Sequence, residues 1–284
     1  MIDKIQVHDG IFHCDDLFSV ALCDQLFQKV SQDDIIRSRE TTKARYVFDV
    51  GGGEFDHHQR DFSKFYPNGV KYAACGLVLD KFCSDDELKE FLLINGLYGI
   101  QVQDNGQQEL TKEFNNPFAC LSLFNANDED IYSEIQDLNF YRAFQLASEF
   151  VEKLIKKFYL KKSNVEYVKK CIQPNQQFVY FDKYASGWQE VICNTNESLD
   201  KKILLIVFKS SDSKFYLQVV PKELNSFESH VKLPEEWGGL KDEELKRISG
   251  YKSITFCHKA LFLAVFEDKD EAISAASSII RRIY

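Results

Sequence analysis

The chain has 284 residues, of which 44% are hydrophobic and 14% aromatic, and these values exclude a disordered protein and favour a globular one with two domains. Its formal net charge of −9 argues against a protein that coats nucleic acid with a broad basic surface. The charge leaves a nucleic-acid enzyme open, because bound metal ions supply local positive charge that the side chains lack.

No apolar stretch reaches the length of a membrane span, and the N-terminus has neither the apolar region of a signal peptide nor an Arg-rich transit pattern. We therefore expect a cytosolic or nuclear protein with no membrane partner. The eight cysteines form no CxxC pair, so reduced, buried thiols are expected rather than disulfides.

The first elements bring histidines and aspartates together. Residues 2–7 predict a short strand that leads directly to His8. Asp15 and Asp16 stand before a predicted helix from Leu17 to Val30. Acidic side chains at that position suit the helix dipole or a metal ion equally well.

A second strand is predicted at residues 46–50, with Asp49 near its end and a glycine triplet typical of a turn after it. The sequence Asp56-His57-His58 follows. Adjacent imidazoles on an extended segment point in different directions. We therefore expect one of them to bind a metal and the other to face the substrate.

Further helices are predicted at residues 72–82 and 86–104, and the second ends at Asp104 before an Asn-Gly turn signal. Asp104 alone would be a capping or turn residue, whereas beside the other carboxylates it completes a metal site. A long amphipathic helix, or two in succession, is predicted at residues 137–172. Its lysines are interpreted as a solvated face, with nucleic-acid contact as the less favoured alternative.

The helical pattern ends at Gln173-Pro174-Asn175 and strand patterns follow, so a domain boundary is expected there. The predicted domains are residues 1–172, a metal-binding catalytic domain that includes the connecting helix, and residues 173–284, a substrate-binding domain. In the second domain, strands are predicted at residues 177–181, 203–208, 215–220, 254–256 and 261–266, and a final helix at residues 271–282.

The candidate metal ligands are carboxylates and imidazoles at strand-to-loop junctions: His8, His13, Asp15, Asp49, His57 and Asp104. Two divalent ions about 3.5–4 Å apart would use this number of ligands and would activate a water for in-line attack at phosphorus. The mixed His and Asp set favours Mn²⁺, with Mg²⁺, Co²⁺ or Zn²⁺ as alternatives. His58 and a basic residue of the second domain would bind the phosphate.

The sequence Asp56-His57-His58 resembles the defining motif of the DHH phosphoesterases. The closer similarity is to the melanocyte-proliferating-gene family, formerly labelled metal-dependent protein hydrolases and described as 3′–5′ exoribonucleases. Matching strings occur in family order along nearly the whole chain. They begin at His8, Asp49, Asp56, Asp104, Val220, Ser226, Leu233, Ser249 and Phe256.

That resemblance implies an α/β fold: an N-terminal domain with a mainly parallel sheet flanked by helices, a long connecting helix, and a smaller C-terminal α+β domain. It implies a first ion held by His8, His13 and Asp49, and a second held by Asp15, a bridging Asp49, His57 and Asp104. It also implies catalytic roles for Asp56 and His58, and substrate contacts from Lys222, Gly250 and His258. The chain departs from the family after His258, where Lys259 to Ala264 replace small residues and glycines.

Three functions follow as hypotheses. The first is a metal-dependent phosphoesterase that degrades RNA from the 3′ end, and the second is a metal-dependent hydrolase of small phosphate compounds such as pyrophosphate or a short oligonucleotide. The third, a non-catalytic scaffold, is disfavoured because buried carboxylates without a purpose are costly. The alternatives to substrate contact are a surface lysine for Lys222 and a hydrogen-bonded histidine for His258.

Overall fold

The computed structural model describes residues 3–40 and 42–283. Residue 2, the start of the first predicted strand, lies outside that part. Two compact units divide the chain, and the first ends at Phe158. Its N-terminal elements are β1 (Ile5–Val7), α1 (Cys14–Leu26), β2 (Ile35–Arg37) and β3 (Tyr46–Val47).

The three strands form a parallel sheet in the order β2-β1-β3, with Ile5 opposite both Ile35 and Tyr46. The central strand β1 is buried along its whole length. In a parallel sheet the carboxyl ends of the strands lie at one edge. The residues that follow β1 and β3, His8 and Asp49, therefore start close together.

Helix α1 begins three residues earlier than predicted. The Asp16 carboxylate accepts a hydrogen bond from the His13 backbone N–H at 2.9 Å and so stabilises a first turn that contains both aspartates. The helix ends at Leu26 rather than Val30. The Asp24 side chain accepts from the Val30 N–H at 2.8 Å, which holds the chain in a turn beyond the helix.

The single helix predicted at residues 86–104 is divided. The remaining helices of the unit before the long one are α2 (Ala74–Phe82), α3 (Asp86–Leu92) and α4 (Tyr98–Asp104), and a π-helical turn joins α3 to α4. Gly96 in that turn has a φ of +142°, and a Cβ there would lie 2.4 Å from the Phe118 ring. Close packing of Phe118 on the backbone therefore requires glycine and redirects α4.

Helix α5 (Glu134–Cys171) confirms the long predicted helix and crosses the division between the units, which falls at Phe158 and Tyr159. The predicted domain boundary near residue 173 coincides instead with the end of this helix. The assignment of catalysis to one domain and substrate binding to the other stays a prediction.

The elements of the second unit are β4 (Phe178–Phe181), α6 (Trp188–Glu197), β5 (Leu205–Lys209), β6 (Phe215–Val219), α7 (Asp242–Ser249), β7 (Ile254–Cys257), β8 (Leu263–Phe266) and α8 (Lys269–Ile283). The strands form a five-stranded sheet in the order β4-β5-β6-β8-β7, in which β4 and β5 are parallel and the other pairs antiparallel. Each of the five strands predicted in this part of the chain is present within a few residues of its predicted bounds.

Two helices of this unit were not predicted, α6 and α7. Helix α7 begins with three acidic residues, and Leu245 anchors this short helix in the core of the unit. The observed elements confirm the predicted α/β class with a parallel N-terminal sheet, a long helix and a smaller α+β unit. In the described part of the chain, no helix has the length and apolar character that crossing a membrane requires.

Candidate metal centre

The loop between β1 and α1 carries the first two histidines. His8 is buried, and its Nδ1 lies 2.7 Å from the Asp9 carbonyl oxygen, which leaves Nε2 turned towards the carboxylates. Nε2 lies 3.0 Å from Asp16 Oδ2 and 3.9 Å from Asp49 Oδ2. A histidine that donates one ring N–H to a carbonyl and offers the other nitrogen is the usual arrangement of a metal ligand.

Asp49 occupies the centre of the cluster and has an unusual backbone. Its φ is +56°, in the left-handed region that residues other than glycine, asparagine and aspartate seldom adopt. Its N–H donates to the Phe55 carbonyl at 3.0 Å, which returns the glycine loop to the strand end. Its Oδ1 then lies 3.1 Å from His57 Nε2 and 3.2 Å from His58 Nδ1.

Asp56 closes that loop. One carboxylate oxygen accepts from the Gly52 N–H at 2.7 Å, and the other accepts from the His58 N–H at 2.9 Å. The two histidines differ in burial, since the His57 side chain is 4% exposed and the His58 side chain 61% exposed. Asp56 thus fixes the backbone on both sides of His57 and holds the His58 ring through Nδ1, with His57 inside the cluster and His58 at its open side.

Asp104 and Asp15 lie on the far side of His57. His57 Nε2 is 3.0 Å from Asp104 Oδ2, and Asp104 Oδ1 is 3.9 Å from Nδ1 of the exposed His13. Asp15 is fully buried, and its two oxygens accept from the Ala74 and Cys75 N–H groups at the start of α2, each at 2.8 Å. The Asp15 carboxylate therefore both caps α2 and faces the cluster.

Among residues 3–40 and 42–283, side-chain donor atoms lie within 4.8 Å of one another in three groups: His8, His13 and Asp16; Asp49, His57 and His58; Asp15, His57 and Asp104. Asp16 and His58 belong to these groups but not to the predicted ligand set, in which His58 was a substrate-side residue and Asp16 was absent. The sequence offered only adjacency to Asp15 as a signal for Asp16. Its distance of 3.0 Å from His8 depends on the helix starting at Cys14, which the hydrophobic spacing did not show.

The chemistry of these donors fits divalent cations. Within residues 3–40 and 42–283, three buried atoms of the cluster have no hydrogen-bond partner: Asp16 Oδ1, Asp49 Oδ1 and His57 Nε2. Buried polar atoms without partners are costly in a native structure. His57 Nε2 nevertheless lies about 3 Å from two carboxylate oxygens. A cation shared by Asp49 and His57 would satisfy two of these atoms, and a second cation held by His8, His13 and Asp16 would give Asp16 a partner.

The charges of the cluster are strongly coupled. Burial lowers the pKa of His8, but the hydrogen bond and charge of Asp16 outweigh it and raise that pKa to about 9. Burial likewise lowers the pKa of His57, whereas Asp104 and Asp49 raise it to about 10. Burial raises the pKa of Asp49, but the two histidines lower it to about 2. Burial together with the charges of Asp104 and Asp49 raises the pKa of Asp15 well above its usual value. The protein holds more negative charge here than its own side chains neutralise.

The family model MYG1_exonuc, described as uncharacterised protein family UPF0160, matches residues 4–280. The chain belongs to this family. A MYG1 protein of Chlamydia pneumoniae is 29% identical over 94% of this chain and 93% of its own length. The MYG1 exonuclease of Homo sapiens is 26% identical over 99% of this chain and 87% of its own length. The resemblance to the melanocyte-proliferating-gene family is thereby confirmed.

Solved structures with a similar chain path include RecJ of Thermus thermophilus in complex with Mg²⁺ and in complex with Mn²⁺. Each superposes with a TM-score of 0.29 at 12% identity over 99% of this chain. The chain spans about half the length of the RecJ chains, 49% and 52%.

The three substrate-contact residues predicted in the MYG1 family chain lie in its second unit. Lys222 is exposed and pairs with Glu228 at 3.0 Å. His258 Nδ1 accepts from the Ala260 N–H at 3.1 Å. Gly250 ends α7 with a φ of +79°. These contacts are local to each residue, and the substrate roles stay predictions.

Proposed function

We propose that this chain is a divalent-metal-dependent exonuclease that hydrolyses RNA phosphodiesters from the 3′ end. The observation that carries the proposal is the buried set of histidine and aspartate donors with three unsatisfied atoms, Asp16 Oδ1, Asp49 Oδ1 and His57 Nε2. The exonuclease names of mammalian relatives, which match nearly the whole chain, favour nucleic acid as the substrate.

The proposed ligands are the six predicted residues and Asp16. Asp49 is the proposed bridge, because its two oxygens face different histidines: Oδ2 lies 3.9 Å from His8 and Oδ1 lies 3.1 Å from His57. Two ions, most favourably Mn²⁺ for this donor set, would supply Lewis acidity and lower the pKa of a water nucleophile.

His58 and Asp56 supply the substrate side of the site. Asp49 and Asp56 raise the pKa of His58 against the smaller opposing effects of burial and of His57. A raised pKa favours the protonated imidazolium, and this exposed ring lies beside the carboxylates. His58 would therefore bind a phosphate oxygen. Asp56 is proposed as its positioning residue, because Oδ1 lies 3.1 Å from Nδ1 of His58.

A second candidate is the hydrolysis of small phosphate compounds such as pyrophosphate. The net charge of −9 favours it, because a long RNA would meet repulsion away from the metal centre. The same donors and the same water nucleophile would serve both reactions. Only the substrate distinguishes the two proposals.

The test is Mn²⁺-dependent release of mononucleotides from single-stranded RNA with a free 3′ end, compared with pyrophosphate and dinucleotides. Asp49→Ala should lose Mn²⁺ binding, measured by calorimetry, together with hydrolysis. Asp61→Ala, an exposed aspartate on the same segment, is the matched control. Equal degradation by the wild type and Asp49→Ala would show that the phosphoesterase proposal is wrong, and activity confined to pyrophosphate would select the second candidate.

A further inference from the structure

A cavity of about 270 Å³ adjoins the metal centre in the first unit. Three proposed ligands form one wall: His13, Asp15 and Asp104. The volume lies just below the range of about 300–1,000 Å³ that ligand pockets have. A volume of this size suits a single small ligand.

Two amide side chains also line the cavity. Gln103 is near the end of α4, next to Asp104, and Asn116 belongs to the loop before Phe118. Asn116 Nδ2 donates to Gln103 Oε1 at 2.8 Å, and Asn116 Oδ1 accepts from the Phe118 N–H at 2.9 Å. This chain of bonds fixes which end of each amide is the donor.

Gln103 is an exposed residue that also lines the cavity, and its amino group consequently remains available as a hydrogen-bond donor. Within residues 3–40 and 42–283, no hydrogen bond of Gln103 Nε2 accompanies the one that Oε1 accepts. Ile100 and Ala119 add apolar surface to the same cavity. The cavity thus combines proposed metal ligands, the Gln103 amino group as a hydrogen-bond donor, and the apolar surface of Ile100 and Ala119.

The loop that supplies Asn116 is built into α4 and is not a loose surface segment. A Cβ on Gly99 would lie 1.9 Å from the Asn115 carbonyl oxygen, so the loop backbone rests directly on the helix. Only glycine permits that approach. The positions of Asn116 and Gln103 relative to Asp104 are set by this contact and by their shared hydrogen bond.

We infer that this cavity binds the terminal nucleoside of the substrate, with the Gln103 amino group donating to the edge of the base. The inference rests on the proposed exonuclease function. Every base has an acceptor on its minor-groove edge, O2 in pyrimidines and N3 in purines, so one donor there recognises all four bases without sequence preference. Because the cavity holds one nucleoside, the products are mononucleotides.

The test measures binding of adenosine monophosphate and of inorganic phosphate to the Mn²⁺-loaded full chain by calorimetry. In Gln103→Ala, the dissociation constant for the nucleotide should rise roughly 3- to 10-fold, as for the loss of one or two neutral hydrogen bonds. The constant for phosphate should not change, because phosphate lacks the nucleoside. Gln108→Ala, an exposed glutamine outside the cavity lining, should bind both like the wild type.

Three outcomes would overturn the inference: nucleotide binding no tighter than phosphate binding in the wild type, equal nucleotide affinity in wild type and Gln103→Ala, or equal weakening of both ligands. Dinucleotides as the shortest product from RNA would also contradict it. Failure of the wild type to hydrolyse RNA with Mn²⁺ would refute the exonuclease proposal instead, and the binding measurements distinguish that case because they do not depend on turnover.

Discussion

Gln136 connects the long helix to the loop between His8 and His13, two of the proposed metal ligands. Its side chain is fully buried, and Nε2 donates to the Gly10 carbonyl at 2.8 Å and to Asn125 Oδ1 at 2.6 Å. Its Oε1 accepts from the Ala126 N–H at 2.7 Å. Asn125 in turn binds the Phe12 backbone through both its oxygen and its nitrogen, each at 3.0 Å. The loop from Gly10 to Phe12 is therefore held from α5.

Gln136→Leu removes three hydrogen bonds with little change in volume. Each is worth about 1 kcal/mol net. The Gly10 carbonyl keeps the Arg37 guanidinium as a donor at 2.6 Å, so the main uncompensated loss is at the part-buried Ala126 N–H. We expect the free energy of unfolding to fall by about 2–4 kcal/mol.

The same substitution should weaken Mn²⁺ binding about 10- to 100-fold, the usual effect of removing a residue that orients metal ligands. Urea unfolding followed by circular dichroism measures the first effect and calorimetric Mn²⁺ titration the second. Gln108→Leu, on an exposed side chain, is the control and should change neither. Unaltered Mn²⁺ affinity in a destabilised Gln136→Leu protein would refute the link between this loop and the metal centre.

Two further predictions concern protons and packing. Without a bound ion, neighbouring carboxylates raise the pKa values of His8 and His57 to about 9 and 10, so both are protonated at neutral pH, and metal binding must release those protons. Mn²⁺ affinity should therefore rise between pH 6 and 8, and calorimetry in buffers of different ionisation enthalpy should detect proton release; heats independent of the buffer would contradict this. Gly99→Ala forces a Cβ against the Asn115 carbonyl and should lower the free energy of unfolding by about 1–3 kcal/mol. Gly53→Ala is the control, because the space around Gly53 is open, and it should leave that free energy unchanged. Equal melting temperatures for the two variants would show that the loop moves away from Gly99 without cost.

The sequence predicted those parts of the site that follow directly from strand ends. His8 and Asp49 come after buried strands of one parallel sheet, and this local pattern places them at the same edge. The contacts that fix the loop between the histidines are not local. Gln136 meets Gly10 across 126 positions and Asn125 meets Phe12 across 113, and neither pair has a periodic or motif signal.

The missed elements have the same kind of cause. The break at Gly96 exists because Phe118, distant in sequence, packs on its backbone at 2.4 Å from the Cβ position. The hydrophobic spacing in residues 86–104 does not indicate the contact with Phe118, and it therefore predicts one continuous helix. Helix α7 is short, acidic at its start and buried at Leu245, and a charged surface turn has nearly the same pattern.

The adjacent aspartates of α1 show how one helix start serves both folding and chemistry. Successive residues on a helix are rotated by about 100°, so neighbouring carboxylates reach different surroundings. Asp15 caps α2 through the Ala74 and Cys75 N–H groups, and Asp16 caps its own helix at His13 while facing His8. In the sequence, the helix-dipole and metal interpretations of this pair are alternatives. In the fold, the two caps determine where α1 begins and where α2 packs. The start of α1 and the position of α2 in turn bring the two carboxylates close to the histidines. Loss of either cap would therefore move a proposed ligand as well as weaken a helix.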